Sequence, residues 1–118
     1  MTPEARKAQA GTARDLFNQG EFWLAHEALE TIWRSIDRGQ TEERLVWQGL
    51  IQACAALLHR ARGNRHGLVK VGAAAVEKLA GPQRPDVEFE TVSFRAQLLR
   101  ALAGEGDPPR LEWRTNDG

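Results

Sequence analysis

One histidine stands where an apolar side chain belongs. Phe22, His26, Leu29, Trp33 and Ile36 recur at the spacing of one helical face, and His26 interrupts it. Glu30 follows one turn later, about 40° round the helix, and Glu27 lies at the margin, about 100° round. A carboxylate one turn from an imidazole can orient the ring, stabilise its charge or join it on a metal ion. The zinc-protease pattern is not met, because Glu30 stands where the second histidine would be. A second polar stripe falls on the next long helical segment. Gln48, Gln52 and His59 lie within about 40° of one another. Gly49, Ala55 and Ala56 flank them, so another element can approach closely. If this stripe faces His26 and Glu30 across a helix pair, two imidazoles, a carboxylate and two amides gather in one place. His26, Glu30 and His59 would then leave positions open for water on a divalent metal ion, as catalytic zinc requires. The plainer reading is a structural network in which the same residues satisfy one another.

Other chemistry is sparser. Arg60, Arg62, Arg65, His66 and Lys70 gather around Gly63-Asn64. Arginines beside a helix N-terminus can hold an anion, although a charge run of this kind commonly makes only a solvated turn. His66 falls off the inner face of its helix and reads as a surface residue. Cys54, between Ala53 and Ala55, suits a small apolar filler better than a nucleophile. Trp23, Trp33 and Trp47 read as core or interface residues rather than a cofactor cage. The chain has no glycine-rich phosphate loop and no Ser-His-Asp order.

The elements that must position these residues are helices. Thr2 suits an N-cap and Pro3 the first helical position, so a first helix is expected over residues 3–18. Its apolar face is weak apart from Leu16 and Phe17. Asn18-Gln19-Gly20 reads as a turn. A second helix is expected from about Glu21 to Asp37. A third runs from about Glu42 to Arg62, with Thr41 as its cap and Glu42 and Glu43 suited to its dipole. It is apolar nearly all round, through Val46, Leu50, Ala53 and Leu57 on one side and Trp47, Ile51, Cys54 and Leu58 on another. Such a helix is central. Gly63 ends it, and Asn64 can cap a fourth that carries Leu68, Val71, Ala75 and Leu79 and stops at Gly81-Pro82. Residues 83–90 fit no element. A fifth helix ends near Ala103 with Phe94, Leu98 and Leu102 inward. From about residue 104 a tail carries Pro108-Pro109, Leu111 and Trp113, whose apolar side chains are expected to dock on the helices or on a second subunit. Strand signals are nearly absent. The expected fold class is all-α: one domain over residues 1–118, a compact bundle of about five helices with the third central.

Composition bounds the function. The 118 residues carry 16 basic and 16 acidic side chains, so the net charge is zero and nucleic acid is not indicated as a partner. One cysteine cannot make an intramolecular disulfide, which fits a reducing compartment. The first seven residues have no signal-peptide core, and no apolar run is long enough to cross a bilayer. The expected setting is cytoplasmic, with no membrane partner and with a homo-oligomer as the partner left open.

Two motifs add a resemblance. Phe17-Asn18-Gln19-Gly20-Glu21-Phe22-Trp23-Leu24-Ala25-His26-Glu27-Ala28-Leu29-Glu30-Thr31-Ile32-Trp33-Arg34 is one. Gln48-Gly49-Leu50-Ile51-Gln52-Ala53-Cys54-Ala55-Ala56-Leu57-Leu58-His59, followed by Arg62-Gly63-Asn64, is the other. Together they resemble DUF309, a family of small helical prokaryotic proteins of unknown function, over about residues 14–80. The resemblance implies an all-α fold and no particular activity. Three functions are therefore weighed, in this order. The first is a structural or interaction protein with a buried cluster of His26, Glu27, Glu30, Gln48, Gln52, His59 and Asn64. The second is a metal-dependent or acid–base enzyme using His26, Glu30 and His59. The third is a small-anion or nucleotide binder at the Gly63-Asn64 turn.

Overall fold

In the computed structural model, residues 1–115 are described. Thr2 opens the first helix as expected: its Oγ1 accepts from the Ala5 N–H at 3.1 Å. From there α1 (Pro3–Asn18), α2 (Phe22–Ser35), α3 (Thr41–Ala61), α4 (Arg65–Lys78) and α5 (Val92–Leu102) follow in order. Each packs chiefly on its neighbours in the chain, and α3 lies between α2 and α4. Gln40 rather than Thr41 precedes the first turn of α3, and no side chain caps it. Asn64 does cap α4, with Oδ1 accepting from the Gly67 N–H at 2.9 Å.

The core forms on one side of the α2–α3–α4 layer. Leu50, Ala53, Cys54 and Leu57 of α3 meet Leu29 and Ile32 of α2 and Ala75 of α4, all buried. Gly49 sets the α3–α4 spacing, because a Cβ there would stand 2.9 Å from the Leu79 side chain. Cys54 is wholly enclosed and burial pushes its thiol pKa up, which keeps it protonated and inert. The apolar face of α2 is rotated from the expected stripe. Ala25, Ala28, Leu29, Ile32 and Ile36 are buried, whereas Phe22, His26 and Trp33 are only half-buried. Small alanines let α1 pack closely on that side, and Gln9 Nε2 donates across it to the Ala28 carbonyl at 3.3 Å.

The segment between α4 and α5 is an extended strap, and the C-terminal segment pairs with it. Phe89 and Trp113 form an isolated antiparallel bridge, with the Glu90 N–H donating to the Glu112 carbonyl at 2.9 Å and the Arg114 N–H to the Glu88 carbonyl at 2.8 Å. Asn18 clamps the same segment from the end of α1. Its Nδ2 donates to the Leu111 carbonyl and its Oδ1 accepts from the Leu111 N–H, both at 2.9 Å. Leu111 is thereby fully buried, and Trp113 stacks on Phe89 with ring centroids 5.4 Å apart. These apolar side chains dock on their own chain.

Charge also fastens α1. Arg6 Nη2 reaches Glu43 Oε2 of α3 at 2.6 Å, and Arg6 Nε reaches Glu88 Oε2 of the strap at 2.7 Å. Glu43 is 6 % exposed, and its Oε2 also accepts from Trp47 Nε1 at 3.3 Å. Burial works against the Arg6 charge, but hydrogen bonds and attraction from Glu88 and Glu43 outweigh it and hold the guanidinium pKa above its ordinary value. Removing one member of a buried pair leaves the other uncompensated. Arg6→Ala is therefore expected to cost about 3–5 kcal/mol in urea unfolding. Glu43→Gln should cost clearly less, because Glu88 still pairs Arg6 and the amide oxygen still accepts from Trp47. Equal losses would show that Arg6 acts through packing alone.

Candidate functional site

The opposite side of the layer, along the α2–α3 seam, carries the polar residues. Gln48, Gln52 and His59 project from the back of α3, away from the Leu50–Leu57 face, and all three are half-buried. On α2, His26 and Glu30 lie one turn apart along the adjoining edge. His26 Nε2 stands 3.5 Å from Glu30 Oε1, at the outer limit of a hydrogen bond. Glu30 Oε2 accepts from Arg34 Nη2 at 2.7 Å. Trp23 is 54 % exposed and stacks flat on the His26 ring, with centroids 5.2 Å apart and planes 8° apart. Glu27 is exposed, and Thr31 Oγ1 donates to its backbone carbonyl at 3.2 Å.

A cavity of about 150 Å³ opens in the seam between Glu30 and Trp33 of α2 and Gln48, Ile51 and Gln52 of α3. Trp33 is fixed from its far side. The Arg44 guanidinium lies over the indole, 4.4 Å from its centroid. Arg44 Nη1 also donates to the Trp33 and Ile36 carbonyls, at 3.1 and 2.8 Å, and so closes the C-terminal end of α2. Beyond Trp33 and Gln48 the seam continues into a second hollow of about 280 Å³, reaching Arg38, Thr41 and Leu45.

Three polar atoms at this seam are enclosed and have no hydrogen-bond partner among the described residues: His26 Nδ1, Trp33 Nε1 and Gln52 Oε1. Two of them belong to residues that line the cavity. An enclosed donor or acceptor left unpaired costs about 1–3 kcal/mol. The chain holds several such groups together in one small region.

The structure divides the sequence-predicted cluster. Glu30, Gln48 and Gln52 come together around the cavity, with His26 beside Glu30. His59 is not among the residues that line it. It lies seven residues beyond Gln52, about 10 Å further along the axis. Its Nδ1 pairs with Asn64 Nδ2 at 3.2 Å. Because Asn64 Oδ1 accepts from Gly67, the Asn64 amide nitrogen must point at the ring, so His59 Nδ1 is the acceptor and the neutral ring carries its proton on Nε2. His26, Glu30 and His59 are thus not assembled as a metal triad, and among the described residues no group of three His, Cys, Asp or Glu side chains is placed to hold a metal ion. At the Gly63-Asn64 turn, Arg62, Arg65, His66 and Lys70 are exposed, and Asn64 already occupies the Gly67 N–H of the helix start.

Sequence reasoning missed Trp33 and Ile51 as cavity walls and Arg44 as the support of Trp33. It also assigned Glu43 to the helix dipole. Its position four residues before Trp47, on the inner arc of α3, was the available sign of a buried carboxylate with an indole partner.

A sequence model of the family described as a domain of unknown function, DUF309, matches residues 11–71, from the middle of α1 to the middle of α4. The chain belongs to that family. No curated protein and no solved structure matches it.

The His59 assignment makes a coupled prediction. A Cβ at Gly67 would stand 2.6 Å from the His59 ring. Gly67→Ala should therefore lose about 1–3 kcal/mol of stability by overpacking. Combined with His59→Ala it should recover to near the single His59→Ala value or above, since alanine favours the helix by about 1 kcal/mol. Additive losses in a thermal-unfolding double-mutant cycle would place His59 away from α4.

Proposed function

We propose that this member of the DUF309 family is a non-catalytic binding protein, and that the α2–α3 seam is its binding face. One observation carries the reading. His26 Nδ1, Trp33 Nε1 and Gln52 Oε1 are enclosed and unpaired at one seam, beside a cavity that Trp33 and Gln52 help to line. Buried polar groups are nearly always satisfied, so a cluster that is not satisfied within the chain is completed from outside it, by ordered water in the free chain and by a partner in the complex. Exposed Trp23 and Leu45 at the two ends of the seam add apolar contact area of the kind that binding faces use. The His26–Glu30 pair orients the imidazole and serves binding in this reading. A cytoplasmic, prokaryotic setting belongs to the same proposal and is supported by the lone, inert Cys54. Among the described residues no helix is long and apolar enough to cross a membrane.

The reading sets stability against binding. Gln52→Met keeps the side-chain length and helix preference and deletes the unpaired oxygen. It should stabilise the free chain by about 1 kcal/mol or more in denaturant unfolding. Gln48→Met, on the same cavity, deletes an amide that is not enclosed and should stay within about 0.5 kcal/mol of wild type. In a fragment screen by NMR on the full chain, hits should map to the seam and weaken in Gln52→Met. A destabilised Gln52→Met with no seam hits would show the polar cluster to be a structural network and end the proposal.

A further inference from the structure

We propose that the outer face of α2, which borders the seam, binds the same face of a second copy of the chain, with the two helices antiparallel. This takes the seam to be a binding face and names its partner. The face is one stripe of helix. Trp23, Glu27, Glu30 and Arg34 follow one another at four, three and four residues and fall within about 60° of one another. Trp23, Glu27, Thr31 and Arg34 are exposed, and Glu30 is half-buried at the edge of the cavity.

Two observations show that this stripe is incomplete within one chain. The first is aromatic. Three of the four tryptophans carry an arginine over the ring: Arg6 on Trp47, Arg14 on Trp113 and Arg44 on Trp33, at 5.3, 5.7 and 4.4 Å from the centroid. Trp23, the most exposed of the four, has none among the described residues. His26 stacks on one face of its indole and leaves the other face open. The second is charge. Among the described residues neither the Glu27 carboxylate nor the Arg38 guanidinium has a hydrogen bond or an ion pair; only the Glu27 backbone carbonyl accepts, from Thr31.

What completes the stripe is its own reverse. Glu30 and Thr31 flank the midpoint. Three residues further out stand Glu27 and Arg34, and seven residues out stand Trp23 and Arg38. A two-fold axis passing between Glu30 and Thr31, perpendicular to α2, sets Glu27 against the partner's Arg34 and Trp23 against the partner's Arg38, each twice. The open indole face thereby gains the arginine that the other three tryptophans already have. Arg34 holds its own Glu30 at 2.7 Å and keeps most of its N–H donors for the partner's Glu27. Arg38 stands three residues beyond the end of α2 and reaches the partner's Trp23 with a long side chain. A parallel arrangement would set Glu27 on the partner's Glu27 and Arg34 on the partner's Arg34, and like charges repel. A uniformly acidic or basic partner would satisfy one half of the stripe and be repelled by the other.

The test is sedimentation of the full chain over a concentration series, with circular dichroism confirming that each variant is folded. A species of twice the 13.2 kDa chain mass is expected. Glu27→Arg and Arg34→Glu each set two pairs of like charges face to face, so each should weaken the dimer at least about tenfold. Mixing these two variants should restore it, because each then carries the complement of the other. Combining both substitutions in one chain should restore it as well. Arg38→Ala removes two cation–ring contacts per dimer and should weaken it about fivefold or more. A chain that is monomeric at about 100 µM overturns the inference. A dimer that neither reversal weakens overturns it too, as do weakened variants that mixing does not restore. Fragment binding at the seam then tells the two failures apart. Hits there keep the binding face and give it another occupant, and no hits end both.

Discussion

Arg6 joins three parts of the chain: the first helix, the start of the third and the strap. Its guanidinium lies between Glu43 of α3 and Glu88 of the strap, and its face lies 5.3 Å from the Trp47 ring centroid. Toward its N-terminal end α1 otherwise buries only the small side chains of Ala10 and Ala13, whereas Phe17 and Asn18 anchor its C-terminal end. The charges are mostly withdrawn from water, so they cannot be left half-paired. That requirement places the first helix, the start of the third and the strap in one register.

Short-range chemistry was legible in the sequence, and long-range chemistry was not. Thr2, Asn64 and Gly63 mark helix ends because caps act within three or four residues. The apolar circumference of α3 announced a central helix, and α3 does lie between α2 and α4. His26 and Glu30 could be paired because one helix carries both. His59 does not line the cavity. It shares a helical face with Gln48 and Gln52, but eleven residues separate it from Gln48, about 16 Å of axis. No side chain bridges that length. Arg6 with Glu43 and Glu88 was invisible, because the partners stand 37 and 82 residues away. The strap lacked any period, since its side chains answer to Trp47, Trp113 and Gln83 rather than to a helix or a sheet.

The seam and the core obey different rules within one helix. On the inner face of α3 each polar atom finds a partner, as Glu43 and Trp47 do in each other. On the outer face Gln52 Oε1 does not. Local stability would favour methionine there, and the same helix shows that the fold is able to satisfy a buried polar group. Arg44 makes the contrast sharper. It holds the Trp33 ring from one side and the end of α2 by two carbonyls, so the indole is rigid while its N–H stays unpaired.

The clamp between Asn18 and Leu111 has a consequence for how the molecule comes into being. Synthesis delivers α1 well before the segment that carries Leu111 and Trp113. Until Leu111 and Trp113 leave the ribosome, the amide of Asn18 and the face of the Phe89 ring that Trp113 will cover lack their partners. The helical layer can assemble early from contacts between neighbours in the chain, which form quickly. The strap side stays unsealed until that segment emerges. A nascent chain stalled before residues 111–113 emerge would therefore display a helical body with an apolar flank, and its recognition by quality control would depend on a handful of residues far from the seam.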